Sequence, residues 1–381
     1  MSYQRSKTLA ALFASLVVFR CAGEEPTVPG PESDDLSKRV TGYLLHCPTD
    51  RRSIVAVALP ELKETFIRPF GSPNEDDDPT IHALSGPDDK GRIAYVEDHF
   101  FVKNKAQRRH LLRIIHFDGT GDTTLFSRPG DAMWATTAAR KGEIGEHLAL
   151  SPSGGKVALV SGLSDKQMPS ALFHQGSIEI WDVAKKERLP LKTRAVDSPM
   201  SWFPDGNKLA YVRFVARKDI PAGGVSAEDF GRGHYTGNWA ELPAIHILDI
   251  QSGETRFLSL GWIPVVSADG KTVFIGGWVS DSTDALKLVW RSVDVSTGAA
   301  APLTWPGVAG GLIANPGDDL VLYWGLPTAG AKIQHSRDGS FRRGLMLLTI
   351  KLAVLNSGRF QTVIPAIDPR DPISFGHVKR E

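Results

Sequence analysis

One phrase recurs along this chain and limits what it can fold into. In "SWFPDGNKLAYV" an apolar run meets Pro204-Asp205-Gly206-Asn207, then resumes at Leu209-Ala210-Tyr211-Val212. Asp-Gly supplies the positive φ values of a tight turn, so the phrase reads as a β-hairpin. The same shape occurs in "LALSPSGGKVALV", "VVSADGKTVFI", "ALSGPDDKGRIAYV" and "LIANPGDDLVLYW". The first apolar residues after the turns are Ile93, Val157, Leu209, Val273 and Leu320. Every interval between them exceeds the roughly 40–45 residues of a four-stranded propeller blade.

A second phrase follows each hairpin: an alternating strand, an Asp or Asn, a polar turn and another strand. The acidic or amide residue is Asp118, Asp182, Asp249, Asp294 or Asn356, placed to cap the N–H groups of the turn. Five units are thereby complete. A sixth is divided: "GYLLHC" and "IVAVALPELKETFI" give three strands without a leading one, and "PISFGHV" near residue 378 is a leading strand without followers. Joining them removes two open sheet edges, which is the energetic motive for closing a ring. The expected fold is all-β, a six-bladed β-propeller of four-stranded antiparallel blades, closed by pairing the C-terminal strand with the N-terminal blade.

These phrases resemble the TolB-type propeller repeat, a relative of WD repeats in which an "SPDG"-like turn joins the first two strands of each blade. Ser151-Pro152-Ser153-Gly154, Phe203-Pro204-Asp205-Gly206 and Ser267-Ala268-Asp269-Gly270 carry the resemblance. It spans residues from about 40 to 378. It implies the repeat type and not a function, because the same repeat also builds propellers attached to serine peptidases. The α/β domain that precedes the TolB propeller has no counterpart in the residues before 40.

Arg5 and Lys7 precede an apolar stretch from Leu9 to Phe19, followed by Cys21, Ala22 and Gly23. A charged head, a short apolar core and small residues read as a secretory leader. Residues 1–20 are expected to be that leader, with cleavage after Gly23 as the alternative. Residues 21–40, rich in Pro and acids, read as a disordered tether, and residues 41–381 as the propeller. Cys21 after an apolar segment resembles a lipoprotein cleavage site and is the candidate lipidation residue; Arg20 before it departs from that pattern. The expected location is the bacterial envelope, as a soluble periplasmic protein or a lipoprotein whose only membrane contact is that anchor. Losing Arg5, Lys7 and Arg20 takes the formal net charge from +1 to about −2. So balanced a chain has no electrostatic reason to bind nucleic acid. Two cysteines make no disulfide framework.

In a four-stranded blade the first-to-second and third-to-fourth turns lie on one rim, and the remaining connections on the other. The first kind is short everywhere. The long segments, 97–110, 162–176, 213–244, 279–286 and 325–343, with 70–79 and 128–146 between blades, all fall on the second rim. Loops of that length are usually functional or disordered. The longest mixes glycines with Arg232, His234, Tyr235 and Trp239, which become candidate binding residues. Trp262, Trp278, Trp305 and Trp324 lie on the same rim, as binding anchors or as wedges between blades. Arg108, Arg109 and His110 read as a solvated basic cluster, and Glu75 to Asp78 as a solvated loop that does not match a calcium loop.

No G-x-S-x-G elbow, H-E-x-x-H motif, P-loop or paired-cysteine zinc spacing occurs. No catalytic residue and no cofactor is assigned. His82 and His147, near the starts of leading strands in adjacent blades, are the candidate metal pair. The preferred reading is an exported, monomeric, non-catalytic protein that binds an envelope protein, peptide or glycan through the long-connection rim. The alternative is a lyase or hydrolase acting on a glycan or peptide at the channel mouth, with a metal at His82 and His147.

Overall fold

Each hairpin phrase folds into the two inner strands of an antiparallel sheet, and six such sheets follow one another around a ring. The computed structural model describes residues 36–48, 51–67, 77–101, 108–130, 144–164, 174–221, 241–280, 286–303, 309–317, 319–325, 348–355, 359–367 and 373–376. Blade 1 comprises β1 (Gly42–His46), β2 (Ile54–Leu59) and β3 (Lys63–Ile67). Blade 2 holds β4 (Asp77–Ser85), β5 (Arg92–Phe101), β6 (Arg108–His116) and β7 (Thr123–Gly130). Blade 3 holds β8 (Ile144–Leu150), β9 (Lys156–Ser164), β10 (Gln175–Asp182), β11 (Glu187–Arg188) and β12 (Thr193–Val196). Blade 4 is β13 (Ser201–Trp202), β14 (Lys208–Ala216), β15 (Glu241–Asp249) and β16 (Thr255–Leu260). Blade 5 is β17 (Trp262–Val266), β18 (Thr272–Ser280), β19 (Leu286–Asp294) and β20 (Ala300–Leu303). Blade 6 is β21 (Ala309–Gly317), β22 (Leu320–Gly325), β23 (Leu348–Val354) and β24 (Phe360–Ile367).

The last strand, β25 (Ile373–Gly376), completes blade 1. It pairs antiparallel with β1, from Tyr43↔Gly376 to His46↔Ile373. Sequence and structure agree on this closure. Gly42 and Gly376 permit it: Gly42 has φ +155°, and a Cβ there would meet the Gly376 carbonyl.

Middle strands are buried on both faces, which is why they read as unbroken apolar runs rather than alternations. In β14, Leu209 and Tyr211 pack toward blade 3, while Ala210 and Val212 pack toward blade 5. One apolar cluster fills each seam between neighbouring blades. A fully buried Leu or Val in such a seam stabilises the fold by roughly 1.5–3 kcal/mol, and the clusters together hold the ring. Outer strands face water: in β3 only Ile67 is buried.

The turn chemistry is local and satisfied. In the opening phrase Gly206, at φ +66°, donates its N–H to the Phe203 carbonyl, and Asp205 accepts from the Asn207 N–H. The Asp118, Asp249 and Asp294 carboxylates accept from turn N–H groups two or three residues on, as their spacing predicts; Asn356 lies outside the described residues. Two details were not foreseen. Blade 3's outer strand is broken into β11 and β12 around Pro190, which has no N–H to give the ladder. A 3₁₀ turn, Leu36–Arg39, docks before β1, burying Leu36 and Val40 in the seam between blades 6 and 1.

Candidate functional site

Strand bounds divide the connections between two rims. On the short-turn rim no connection exceeds 86–91 or 117–122. On the other rim lie 131–143, 165–174, 217–240 and 326–347. Two segments assigned there from sequence are shorter than expected: β5 runs to Phe101 and β6 starts at Arg108, while β18 runs to Ser280 and β19 starts at Leu286. The acidic run likewise ends inside β4, which begins at Asp77.

The extended end of blade 2 carries the densest set of charges among the described residues. Alternation along β5 sends Tyr95, Glu97 and His99 toward blade 1, and Val96 and Asp98 toward blade 3. On the blade 1 side a row of opposite charges runs from rim to interior. Asp77 Oδ2 lies 2.6 Å from His99 Nδ1, and His99 Nε2 lies 2.9 Å from Glu97 Oε1. Glu97 Oε2 accepts from Arg113 Nη1 at 2.9 Å, and Arg113 Nε donates to Asp122 at 3.0 Å. Burial alone would push the Glu97 carboxyl up; the hydrogen bond with His99 and the charge of Arg113 overcome this and hold it below its ordinary value. His99 moves the other way: its hydrogen bond with Glu97 outweighs desolvation, and Asp77 adds to the rise.

The blade 3 side is built differently. Asp98 accepts from Arg108 Nε at 2.7 and 2.9 Å. His110 is fully buried, its Nδ1 3.5 Å from Asp98 Oδ1 and its ring 5.8 Å from that of His82. Burial holds the His110 imidazole down to about 3, against the pull of Asp98. Across the seam Glu179 of β10 accepts from Arg128 Nη1 and Nη2 at 3.1 Å each, Ser161 Oγ at 2.6 Å and Trp181 Nε1 at 3.1 Å. Arg128 also lies over the Phe126 ring at 4.4 Å. The Arg128–Glu179 pair therefore joins two blades as a charge-assisted fork.

The basic cluster Arg108–His110 is accordingly not solvated as a unit: only Arg109 is exposed. Because the strands continue past Glu97, these residues pair in register with Phe100, His99 and Asp98. Glu97, Asp98, His99, Arg128 and Glu179 were missed in the sequence. The available signal was complementarity, an acidic "VEDHF" facing a basic "RRHLL" on the next strand.

The sequence candidates separate. Trp262 is buried and meets Phe214 edge-on at 5.6 Å, packing blade 4 to blade 5. Trp324 is partly buried against the cluster between blades 6 and 1. Trp278 lies on β18, its side chain outside what the structure describes, and Arg232, His234, Tyr235, Trp239, Trp305 and Cys21 lie outside the described residues. His82 sits on β4 with Nε2 3.1 Å from the Ile144 carbonyl, and His147 sits partly buried on β8. Among the described residues no group of three or more His, Cys, Asp or Glu is arranged to hold a metal ion.

No family model matches the chain, and no curated protein matches it. Solved structures are similar to it. TolB from Acinetobacter baumannii is 15% identical, covering 91% of this chain and 68% of its own, with a TM-score of 0.47. Oligogalacturonate lyase from Vibrio parahaemolyticus is 14% identical, covering 73% and 72%, with a TM-score of 0.43. An acylaminoacyl peptidase from Pyrococcus horikoshii is 15% identical, covering 74% of this chain and 45% of its own, with a TM-score of 0.39. This chain thus spans less than half of that peptidase. At such identities the likeness is one of fold.

Proposed function

We propose that this chain is an exported, non-catalytic binding protein that acts as a monomer. Its ligand is an envelope protein, peptide or glycan, held on the long-connection rim. The export leader (residues 1–20), the tether (21–40) and the lipid on Cys21 belong to this reading. So does contact with the ligand by Arg232, His234, Tyr235 and Trp239 in the longest connection. The observation that carries it is the one-sided length of the connections: 131–143, 165–174, 217–240 and 326–347 share a rim whose opposite keeps only tight turns. Chance lengthening would have spread over both rims. The charges at this rim favour binding over catalysis. Glu97, Asp98 and Glu179 are each satisfied by a basic partner, and carboxylates held ionised in this way do not serve as general acids.

The test replaces 222–238 by a short Gly-Ser turn, leaving the β14–β15 ladder from Ala216↔Glu241 inward intact. Wild type and variant are used to capture partners from an envelope fraction. The reading expects recovery to fall at least about tenfold, the loss of one good anchor, with unfolding midpoint unchanged. Equal recovery from both proteins would sink the role of this connection.

A further inference from the structure

His99 carries a carboxylate at each ring nitrogen: Asp77 at 2.6 Å on Nδ1 and Glu97 at 2.9 Å on Nε2. A neutral imidazole has one N–H, so it can satisfy only one of them; the other would face a nitrogen lone pair. Only the imidazolium fits both. We propose that His99 is a proton-operated latch, which in its charged form fastens the rim end of β4 to β5 and on losing its proton releases Asp77.

The geometry decides which bond gives way. Glu97 is 2% exposed and remains held by Arg113, whereas Asp77 is 24% exposed at the first residue of β4. Water can solvate Asp77 on release and cannot reach Glu97 as easily. What swings free is the start of β4 and the end of the connection 68–76 that leads to it from blade 1. Other charges meet the latch from every side. Arg109 is the cross-strand partner of His99 on β6, and Arg113 and Asp122 lie further along the row. Arg108 and Asp98 pair on the opposite face of the sheet. From blade 1 the β1–β2 connection brings up Arg51, whose carbonyl accepts from the Ile81 N–H, and Arg52. The cations beside His99 oppose its charge and the two carboxylates favour it. The hydrogen bond with Glu97 dominates and raises the imidazole above 6.5. The latch is therefore closed below 6.5 and opens as pH rises through the raised value. This concerns the rim itself and stands whether or not the rim binds a ligand.

The test is backbone hydrogen exchange of the full chain between pH 5.5 and 9, read on a peptide covering residues 70–81. Each rate is divided by the intrinsic rate at its pH, and the His99 ring is titrated by NMR in parallel. Protection of that peptide should fall roughly tenfold across the His99 titration, the loss of about one charge-assisted hydrogen bond. H99Q should show low protection and no step; H99K, which keeps a fixed cation, should show high protection and no step up to pH 9. A flat wild-type profile overturns the latch, as does a step that persists in H99Q.

Discussion

At the scale of single residues, the histidines divide by what surrounds them. Burial holds His110 to about 3 and His246 to about 4, the latter beside the Ala244 carbonyl in blade 4, and His46 is lowered in the same sense. A folded value below the unfolded 6.5 means that the unfolded chain takes up the proton first. Their stabilisation is complete above 6.5 and is lost as pH falls from there toward 3. The carboxyls of Glu97, Asp98 and Glu179 are also depressed, but their contribution is lost only below about 4, where unfolded carboxyls begin to protonate. The window from pH 6.5 to 4.5 therefore belongs to the buried histidines. Urea unfolding should show stability falling there by roughly 1.4 kcal/mol per pH unit for each of them. A double variant, H110Q with H246Q, should lose most of that slope; an unchanged slope would show that these rings are not the titrating groups. His99 acts with opposite sign, so the ring is weakened at acid pH through its seams and loosened at alkaline pH at its rim.

At the scale of the element, the strand that closes the ring is the most exposed to test. Apart from its ladder with β1, β25 offers the Ser374 Oγ to the Gly86 N–H at 3.2 Å and lays Ile373 and Phe375 against the seam between blades 6 and 1. Ending the chain after residue 371 should leave β1 as an open edge. It should also lower unfolding stability by about 2–3 kcal/mol, the worth of two partly buried apolar side chains. A synthetic peptide of residues 371–378 should restore the midpoint when added in trans; no recovery at millimolar peptide would deny β25 its closing role. This closure was readable because "PISFGHV" and "GYLLHC" are each incomplete in a pattern that repeats five times elsewhere. The turns were readable for the same reason, since Asp-Gly and a capping Asp act within a few residues of chain. The blade 2 network was not. Glu97 meets Arg113 only because β5 and β6 are in register, and Arg128 meets Glu179 only because two blades pack face to face. A strand that continues through "EDHFF" without apolar alternation cannot be told from a loop until its partner strand is known.

At the scale of the whole molecule, the chain joins the ring at Leu36 and leaves it at Gly376, and both points lie on the short-turn rim. The Ser37 N–H donates to Gln361 at 2.9 Å, its hydroxyl donates to the Pro60 carbonyl at 3.3 Å, and Arg39 pairs with Asp319 at 2.6 Å. Gln361, Pro60 and Asp319 all lie in or beside short turns. An anchor placed before residue 36 therefore pulls on the rim opposite the long connections. Strands such as β14, with 9 residues, make the ring about 30 Å high, while a flexible tether of residues 21–35 spans roughly 20 Å on average. The tether is too short to let the ring turn over freely, so an anchored molecule should hold its long rim outward. A chain tethered to vesicles through a tag in place of residues 1–20, with Cys21→Ser, tests this. Dyes are placed at Asp205→Cys on the short rim and Arg109→Cys on the long rim, over a bilayer containing quencher lipid; Cys47 is buried and does not compete. Stronger quenching at position 205 is the expected result. Stronger quenching at position 109 would turn the molecule upside down and press the proposed binding rim against the membrane.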